Sequence, residues 1–147
     1  MPTYRIEYSN FKLSFKKKEI LAKEITKVHS RVTGANLYFA QVLFHENKKN
    51  NHFMGGKIIK DKQIFLHGQI RSGRTPNIKK NLILKLRDAV KKYSKLRQDN
   101  IWVYIVELKP EQMIEYGEIL PRSGGEKSWF KKLNKNLKKK LRKLDES

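Results

Sequence analysis

The 147-residue chain contains no cysteine, which excludes disulfide bonds and thiolate metal sites. It has no long apolar run either: Leu37-Tyr38-Phe39-Ala40 and Ile101 to Val106 fall far short of the ~20 residues a membrane-crossing helix needs. The opening Met1-Pro2-Thr3-Tyr4-Arg5 lacks the basic and then apolar pattern of a secretory signal, so a soluble cytoplasmic protein is expected. A Gly-x-x-x-x-Gly-Lys phosphate loop is missing. His45, His52 and His67 show no metal-ligand spacing, so no metal is expected. Acidic residues are also scarce: 14 Asp and Glu stand against 34 Lys and Arg, a formal charge of +20.

What is present argues for one folded domain. With 38% hydrophobic and 10% aromatic residues the chain is too rich in core-forming side chains for a disordered basic tail, and its length allows a sizeable core. The charge invites a nucleic-acid partner, because clustered Lys and Arg release counterions when they neutralise phosphates. Yet the charge is spread out. Residues 122–147 hold ten basic and three acidic side chains, a net of +7, and the remaining +13 lies along the first 121 residues. Lys outnumbers Arg 26 to 8, whereas bidentate recognition favours Arg. Most of the charge therefore reads as solvated surface.

Residues 3–8 alternate, with Tyr4, Ile6 and Tyr8 on one face and Thr3, Arg5 and Glu7 on the other, which predicts a strand. From about Lys16 the period becomes helical: Leu21, Ile25, Val28 and Val32 form one apolar stripe, and Gly34 marks its stop. Phe39 to His45 reads as the second strand, Asn47 to Asn51 as a loop and Gly55-Gly56 as a turn or bulge. The pattern then repeats. Ile64 to Ile70 is a strand, and Thr75-Pro76 starts a helix with the stripe Ile78, Leu82, Leu86, Ala89, Tyr93 and Leu96. Ile101 to Val106 is the closing strand. Thr3 to Phe39 spans 36 residues and Ile64 to Ile101 spans 37, which suggests a duplicated βαβ unit.

Right-handed crossovers put both helices on one face of a four-stranded sheet and leave the other face in need of a cover. The expected fold class is α/β (α+β), a tandem β-α-β repeat. Its halves are about residues 2–46 and 63–107 within a domain of residues 1–125, with a basic amphipathic helix in residues 126–147. That helix carries Phe130, Leu133, Leu137, Leu141 and Leu144 on one side and lysines elsewhere. Packing on the body is the commonest fate of such a segment; the others are an anionic membrane surface or nucleic acid.

Chemistry-bearing residues are few. Arg71-Ser72-Gly73-Arg74-Thr75 joins a strand to a helix start, where two guanidiniums and free backbone amides can receive a carboxylate or phosphate. Pro2 becomes a secondary amine, able to give or take a proton, if Met1 is removed. His29 lies at the edge of the first helical stripe, Tyr104 within a strand and Glu115 in Glu115-Tyr116-Gly117. Taken singly, each has an ordinary structural explanation.

Together, Pro2, His29, Arg71, Arg74, Tyr104 and Glu115 resemble the active-site set of the tautomerase superfamily, in particular the cis-3-chloroacrylic acid dehalogenase group. Thr33-Gly34, Ala40-Gln41-Val42, Gly73-Arg74, Ile101-Trp102-Val103-Tyr104, Met113, Glu115-Tyr116-Gly117 and Trp129-Phe130 resemble that group's landmarks in the same order, from about Pro2 to Phe130. The loop Ile70 to Thr75 is closer to the group's less specialised homologues. The resemblance implies a homotrimer in which Tyr104 serves a neighbouring subunit's site, and an enzyme that needs no metal or organic cofactor. It further implies Pro2, Glu115 and Tyr104 as catalytic residues, with Arg71, Arg74 and His29 holding a small-molecule carboxylate substrate. Hydration or hydrolytic dehalogenation of short unsaturated acids, or enol–keto tautomerisation of 2-oxo acids, follows from that set. The alternative is a non-catalytic member that binds nucleic acid or an anionic membrane through its basic C-terminal helix. No aromatic-interleaved basic surface is visible for stacking bases, so nucleic acid is not expected.

Overall fold

The computed structural model describes residues 2–146. Its elements in chain order are β1 (Thr3–Ser9), α1 (Phe15–Thr33), β2 (Gln41–Glu46), β3 (Phe53–Met54), β4 (Lys57–Ile58), β5 (Gln63–Arg71) and α2 (Pro76–Ser94). They continue as β6 (Ile101–Leu108), β7 (Ile114–Glu115), β8 (Glu118–Ile119), α3 (Glu126–Lys132) and α4 (Lys135–Asp145). Side-chain caps set the helix starts. Ser14 accepts from Lys17 N at 3.2 Å and Thr75 from Ile78 N at 3.2 Å. Gly34 ends α1 at φ +73°, while Lys95 adopts the same left-handed conformation at φ +62° to end α2.

The four long strands form one sheet in the order β2-β1-β5-β6. β1 runs parallel to β2 (Thr3 opposite Gln41) and antiparallel to β5 (Thr3 opposite Gln69), and β5 runs parallel to β6 (Ile64 opposite Ile101). Each βαβ half therefore contributes a parallel pair, and the halves join back to back. Alternate residues Tyr4, Ile6, Ile64, Leu66 and Ile70 face Leu21 and Ile25 of α1 and Leu82, Leu86 and Val90 of α2 in the main core. Full burial of each such aliphatic side chain stabilises the fold by roughly 1.5–3 kcal/mol. Among the described residues the opposite face carries no helix. Leu43, Trp102, Tyr104 and Val106 are exposed there.

Residues Leu37–Phe39 form a single 3₁₀ turn, so the expected strand from Phe39 begins only at Gln41. The cause lies far along the chain: Tyr38 and Phe39 belong to a second cluster with Leu120, Trp129, Leu133 and Leu141. Asp145 holds the turn from outside, accepting from Asn36 Nδ2 at 2.8 Å. The single C-terminal helix expected from Glu126 is in fact two. Asn134 breaks it by taking an extended conformation and accepting from Leu137 N at 2.9 Å, which starts α4 afresh. The two short hairpins, β3-β4 and β7-β8, turn at Gly55-Gly56 and Tyr116-Gly117, each pair with positive φ at both positions. Among the described residues no helix is long and apolar enough to cross a membrane, and no group of acids and histidines is arranged to hold a metal ion.

Candidate active site

The strand pairing brings four chain segments to one end of the sheet. Pro2 immediately precedes β1, and its carbonyl accepts from Gln41 N at 2.9 Å, which ties it to the start of β2. Across β1, the register places the end of β5, Ile70 and Arg71, beside Glu107 and Leu108 of β6. Helix α2 begins at Pro76, two residues beyond Arg74, with Thr75 as its cap. The arrangement is a consequence of antiparallel β1 and β5: one strand must start where the other ends.

His29 comes to the same end from α1. It lies on the buried side of the helix, with 1% of its surface exposed, rather than at the edge of the stripe. Its Nδ1 is 2.6 Å from the Tyr4 hydroxyl, and Nε2 is buried without a hydrogen-bond partner. Burial, and then the nearby Arg74 guanidinium, push its pKa down to about 3, so the ring is neutral at pH 7. Burial also raises the Tyr4 phenol well above its ordinary value, against the pull of Arg74, and keeps it protonated.

The two arginines of the Arg71–Arg74 loop have different partners. Arg71, only 4% exposed, donates through Nη1 to the Pro121 carbonyl at 2.6 Å and through Nη2 to Glu126 Oε1 at 2.5 Å. Burial pushes Glu126 up, but the hydrogen bond and charge of Arg71 outweigh it and hold the carboxylate below its usual range. Arg74, half-buried, donates through Nη1 to the Arg71 carbonyl at 2.5 Å and forms no ion pair among the described residues. Burial and the neighbouring Arg71 charge lower its pKa. The Nε atoms of both arginines and Oε1 of Glu107 are buried without partners. Four of the five such side-chain atoms among the described residues thus come from His29, Arg71, Arg74 and Glu107. Buried polar groups are ordinarily satisfied, so this concentration marks a place prepared for polar atoms of a ligand or water.

Glu115 approaches from the β7-β8 hairpin. It lines a cleft of ≈ 490 Å³ with Thr3, Ala40, Gln41, Leu108 and Met113; Thr3 follows Pro2 in the chain, and Gln41 N donates to the Pro2 carbonyl. Tyr116, at φ +55°, fixes the hairpin by donating its hydroxyl to the Tyr38 carbonyl at 2.5 Å. Tyr104 is not brought to this end. It is opposite His67 in the register, lies on the helix-free face and is 54% exposed, with its ring edge-on to Phe65. Five of the six expected residues therefore gather around one end of the sheet, and the sixth faces away from it.

Sequence reading did not single out Tyr4, Glu107, Pro121 or Glu126. Tyr4 looked like any core aromatic in an alternating strand. Glu126 gave no signal because its partner is 55 residues away. Gly68 was equally silent: a Cβ there would stand 2.6 Å from the Tyr4 ring, so only glycine lets that ring cross β5 towards His29.

A four-stranded sheet of two βαβ halves, with a proline at position 2 beside its first strand, is the architecture of the tautomerase superfamily. The family profile described as "Putative oxalocrotonate tautomerase enzyme" matches residues 1–135, and the chain belongs to that family, on the cis-3-chloroacrylic acid dehalogenase-like side of the superfamily. The superfamily's members are generally enzymes. The crystal structure of N1, a member of the cis-3-chloroacrylic acid dehalogenase family, is similar over 96% of this chain and 99% of that chain, with TM-score 0.91 and 28% identity. That of native Ps01740 covers 77% of this chain and 99% of its own at TM-score 0.72 and 25% identity. A fused 4-OT solved as a symmetric trimer shares the fold, with TM-score 0.74 and 17% identity over 84% of this chain and 98% of that one. No curated protein matches the chain.

Proposed function

We propose that the protein is a cofactor-independent cytoplasmic enzyme that uses Pro2 as its proton carrier and hydrates short α,β-unsaturated carboxylic acids, with hydrolytic dehalogenation when the β-carbon bears a halide. The observation that carries this reading is the convergence of half-buried Arg74 and neutral, buried His29 at one sheet end, with Glu115 in the cleft beside Pro2. Arg74 supplies the charge that holds the substrate carboxylate, and His29 supplies a neutral hydrogen bond. Arg71 adds its field and, through its carbonyl, the anchor that orients Arg74. Electron withdrawal through the bound carboxylate makes the β-carbon electrophilic. Glu115 takes a proton from water as the oxygen bonds to that carbon. Protonated Pro2 delivers a proton to the α-carbon, and a halide on the β-carbon leaves as the adduct collapses.

A homotrimer completes the reading. The exposed Trp102, Tyr104 and Val106 face is of the kind that a subunit contact covers, and a fused 4-OT relative of the same fold is itself a trimer. Tyr104 would then assist Glu115 of a neighbouring subunit. Tautomerisation is the second reading, favoured by Arg74 forming no ion pair among the described residues: a cation lowers the pKa of a nearby amine, and neutral Pro2 then acts as the general base.

Intact-mass measurement comes first, since retained Met1 would make the Pro2 nitrogen an amide. The decisive experiment is NMR product analysis with propynoate, 3-chloroacrylate and phenylenolpyruvate, using Pro2→Ala and Glu115→Gln. Pro2→Ala is expected to abolish most turnover of every substrate, and Glu115→Gln to impair hydration more than tautomerisation. Near wild-type hydration by either variant overturns the mechanism.

A further inference from the structure

We propose that Tyr4 is a positioning residue that holds His29 as its Nε2–H tautomer, converting a buried neutral histidine into a hydrogen-bond donor for a substrate oxygen. The inference rests on the reading of this end of the sheet as the active site, and it extends the site beyond the six residues already assigned to it.

The geometry is specific. Tyr4 Oη lies 2.6 Å from His29 Nδ1, and the two rings meet edge to face at 5.7 Å with 67° between their planes. Both side chains are buried, so water does not compete for either end of the bond. A phenol is a stronger hydrogen-bond donor than an imidazole N–H, and an imidazole nitrogen is a stronger acceptor than a phenol oxygen. The hydrogen therefore sits on Tyr4 and points to Nδ1, which leaves the ring's proton on Nε2. That atom is buried and has no hydrogen-bond partner among the described residues. The depressed basicity of His29 keeps it from becoming a cation beside Arg74, so the two groups do separate work: Arg74 provides charge and His29 provides direction.

A second observation shows how the contact is accommodated. The Tyr4 ring crosses β5 at Gly68, its partner in the strand register, where a Cβ would come within 2.6 Å of Cε1 and 2.9 Å of Cδ1. A core aromatic without a task could turn elsewhere; this one occupies a notch left by the missing side chain, and its hydroxyl ends on the histidine. The ligand that Nε2–H suits is an acceptor oxygen, the second oxygen of a carboxylate or the oxygen of a 2-oxo group.

The test is long-range proton–nitrogen NMR of histidine-labelled full-length protein, with His29 assigned by its loss in His29→Gln. Wild type is expected to show a protonated Nε2 and a hydrogen-bonded Nδ1 acceptor, and Tyr4→Phe a mixture of tautomers. Addition of propynoate should shift Nε2 of wild type, and Tyr4→Phe should raise KM about tenfold with kcat within about twofold. A wild-type Nδ1–H tautomer overturns the proposal without any variant, so it stays testable even if Tyr4→Phe does not fold. A Tyr4→Phe spectrum identical to that of wild type also overturns it. If the tautomer depends on Tyr4 but propynoate neither binds nor reacts, the positioning role is supported and the unsaturated-acid reading fails, which separates the two.

Discussion

The two ends of the sheet are built from the same supersecondary unit, related by the antiparallel β1-β5 pair, yet they treat polar groups in opposite ways. At the far end, buried Ser9 accepts from Asn47 Nδ2 at 3.0 Å and bonds His52 Nδ1 at 2.8 Å. Asn10 nearby caps the carbonyls of Ile59 and Asp61 at 3.1 and 2.9 Å. The chain after β2 folds back there as the β3-β4 hairpin. At the near end His29, Arg71, Arg74 and Glu107 each keep one buried polar atom without a partner. An unmade buried hydrogen bond costs about 1–3 kcal/mol, so stability alone would not retain four of them together. The difference teaches that topology supplies two like ends of one sheet and that incomplete satisfaction distinguishes the one proposed as the active site.

Substitutions at the two ends should therefore move different observables. The largest effect is expected from Arg74→Ala, which should lower kcat/KM by about 10²–10³-fold while leaving the urea midpoint nearly unchanged, because Arg74 forms no ion pair among the described residues. Glu126→Gln comes next: it leaves buried Arg71 without its counter-charge and should cost about 2 kcal/mol in urea unfolding, softened by the acceptor that Gln retains. The third is a pH effect. His29 has a folded pKa of about 3 against ~6.5 unfolded, so the unfolded chain takes up the proton first. Stability should be level above pH 6.5 and fall as pH drops towards 3, by at most about 1.4 kcal/mol per unit, and His29→Gln should flatten that part of the curve. Smallest is Ser9→Ala at the far end, with about 1 kcal/mol of stability lost and turnover unchanged. If Ser9→Ala cost activity as Arg74→Ala does, the contrast between the ends would collapse.

Much of the fold was legible because local signals agreed with the tertiary result. Alternation in Tyr4, Ile6 and Tyr8, the Thr75 cap and the Gly34 stop all survive folding because the same faces are buried in the sheet–helix core. The break at Asn134 was hidden because the spacing of Phe130, Leu133 and Leu137 continues across it and all three join one cluster. Strands of two residues are too short to alternate, which is why β3-β4 showed only as its glycine turn and β7-β8 did not show at all. In the site, alternation does separate Tyr104 from Pro2, since even-numbered residues of β6 face away from the helices. What could not be read was the division of labour between Arg71 and Arg74. Three residues apart in one loop, they are told apart only by Pro121 and Glu126, whose approach depends on the C-terminal cluster.

Gly68 couples the history of two strands. A side chain at this position cannot coexist with the Tyr4 ring where it now lies, so the pair can change only together or in a fixed order. A descendant that gives up the aromatic in β1 is free to fill position 68 of β5. One that fills position 68 first has already swung the ring off His29. Glycine opposite tyrosine at these two positions is thus the pairing that leaves the ring free to reach His29.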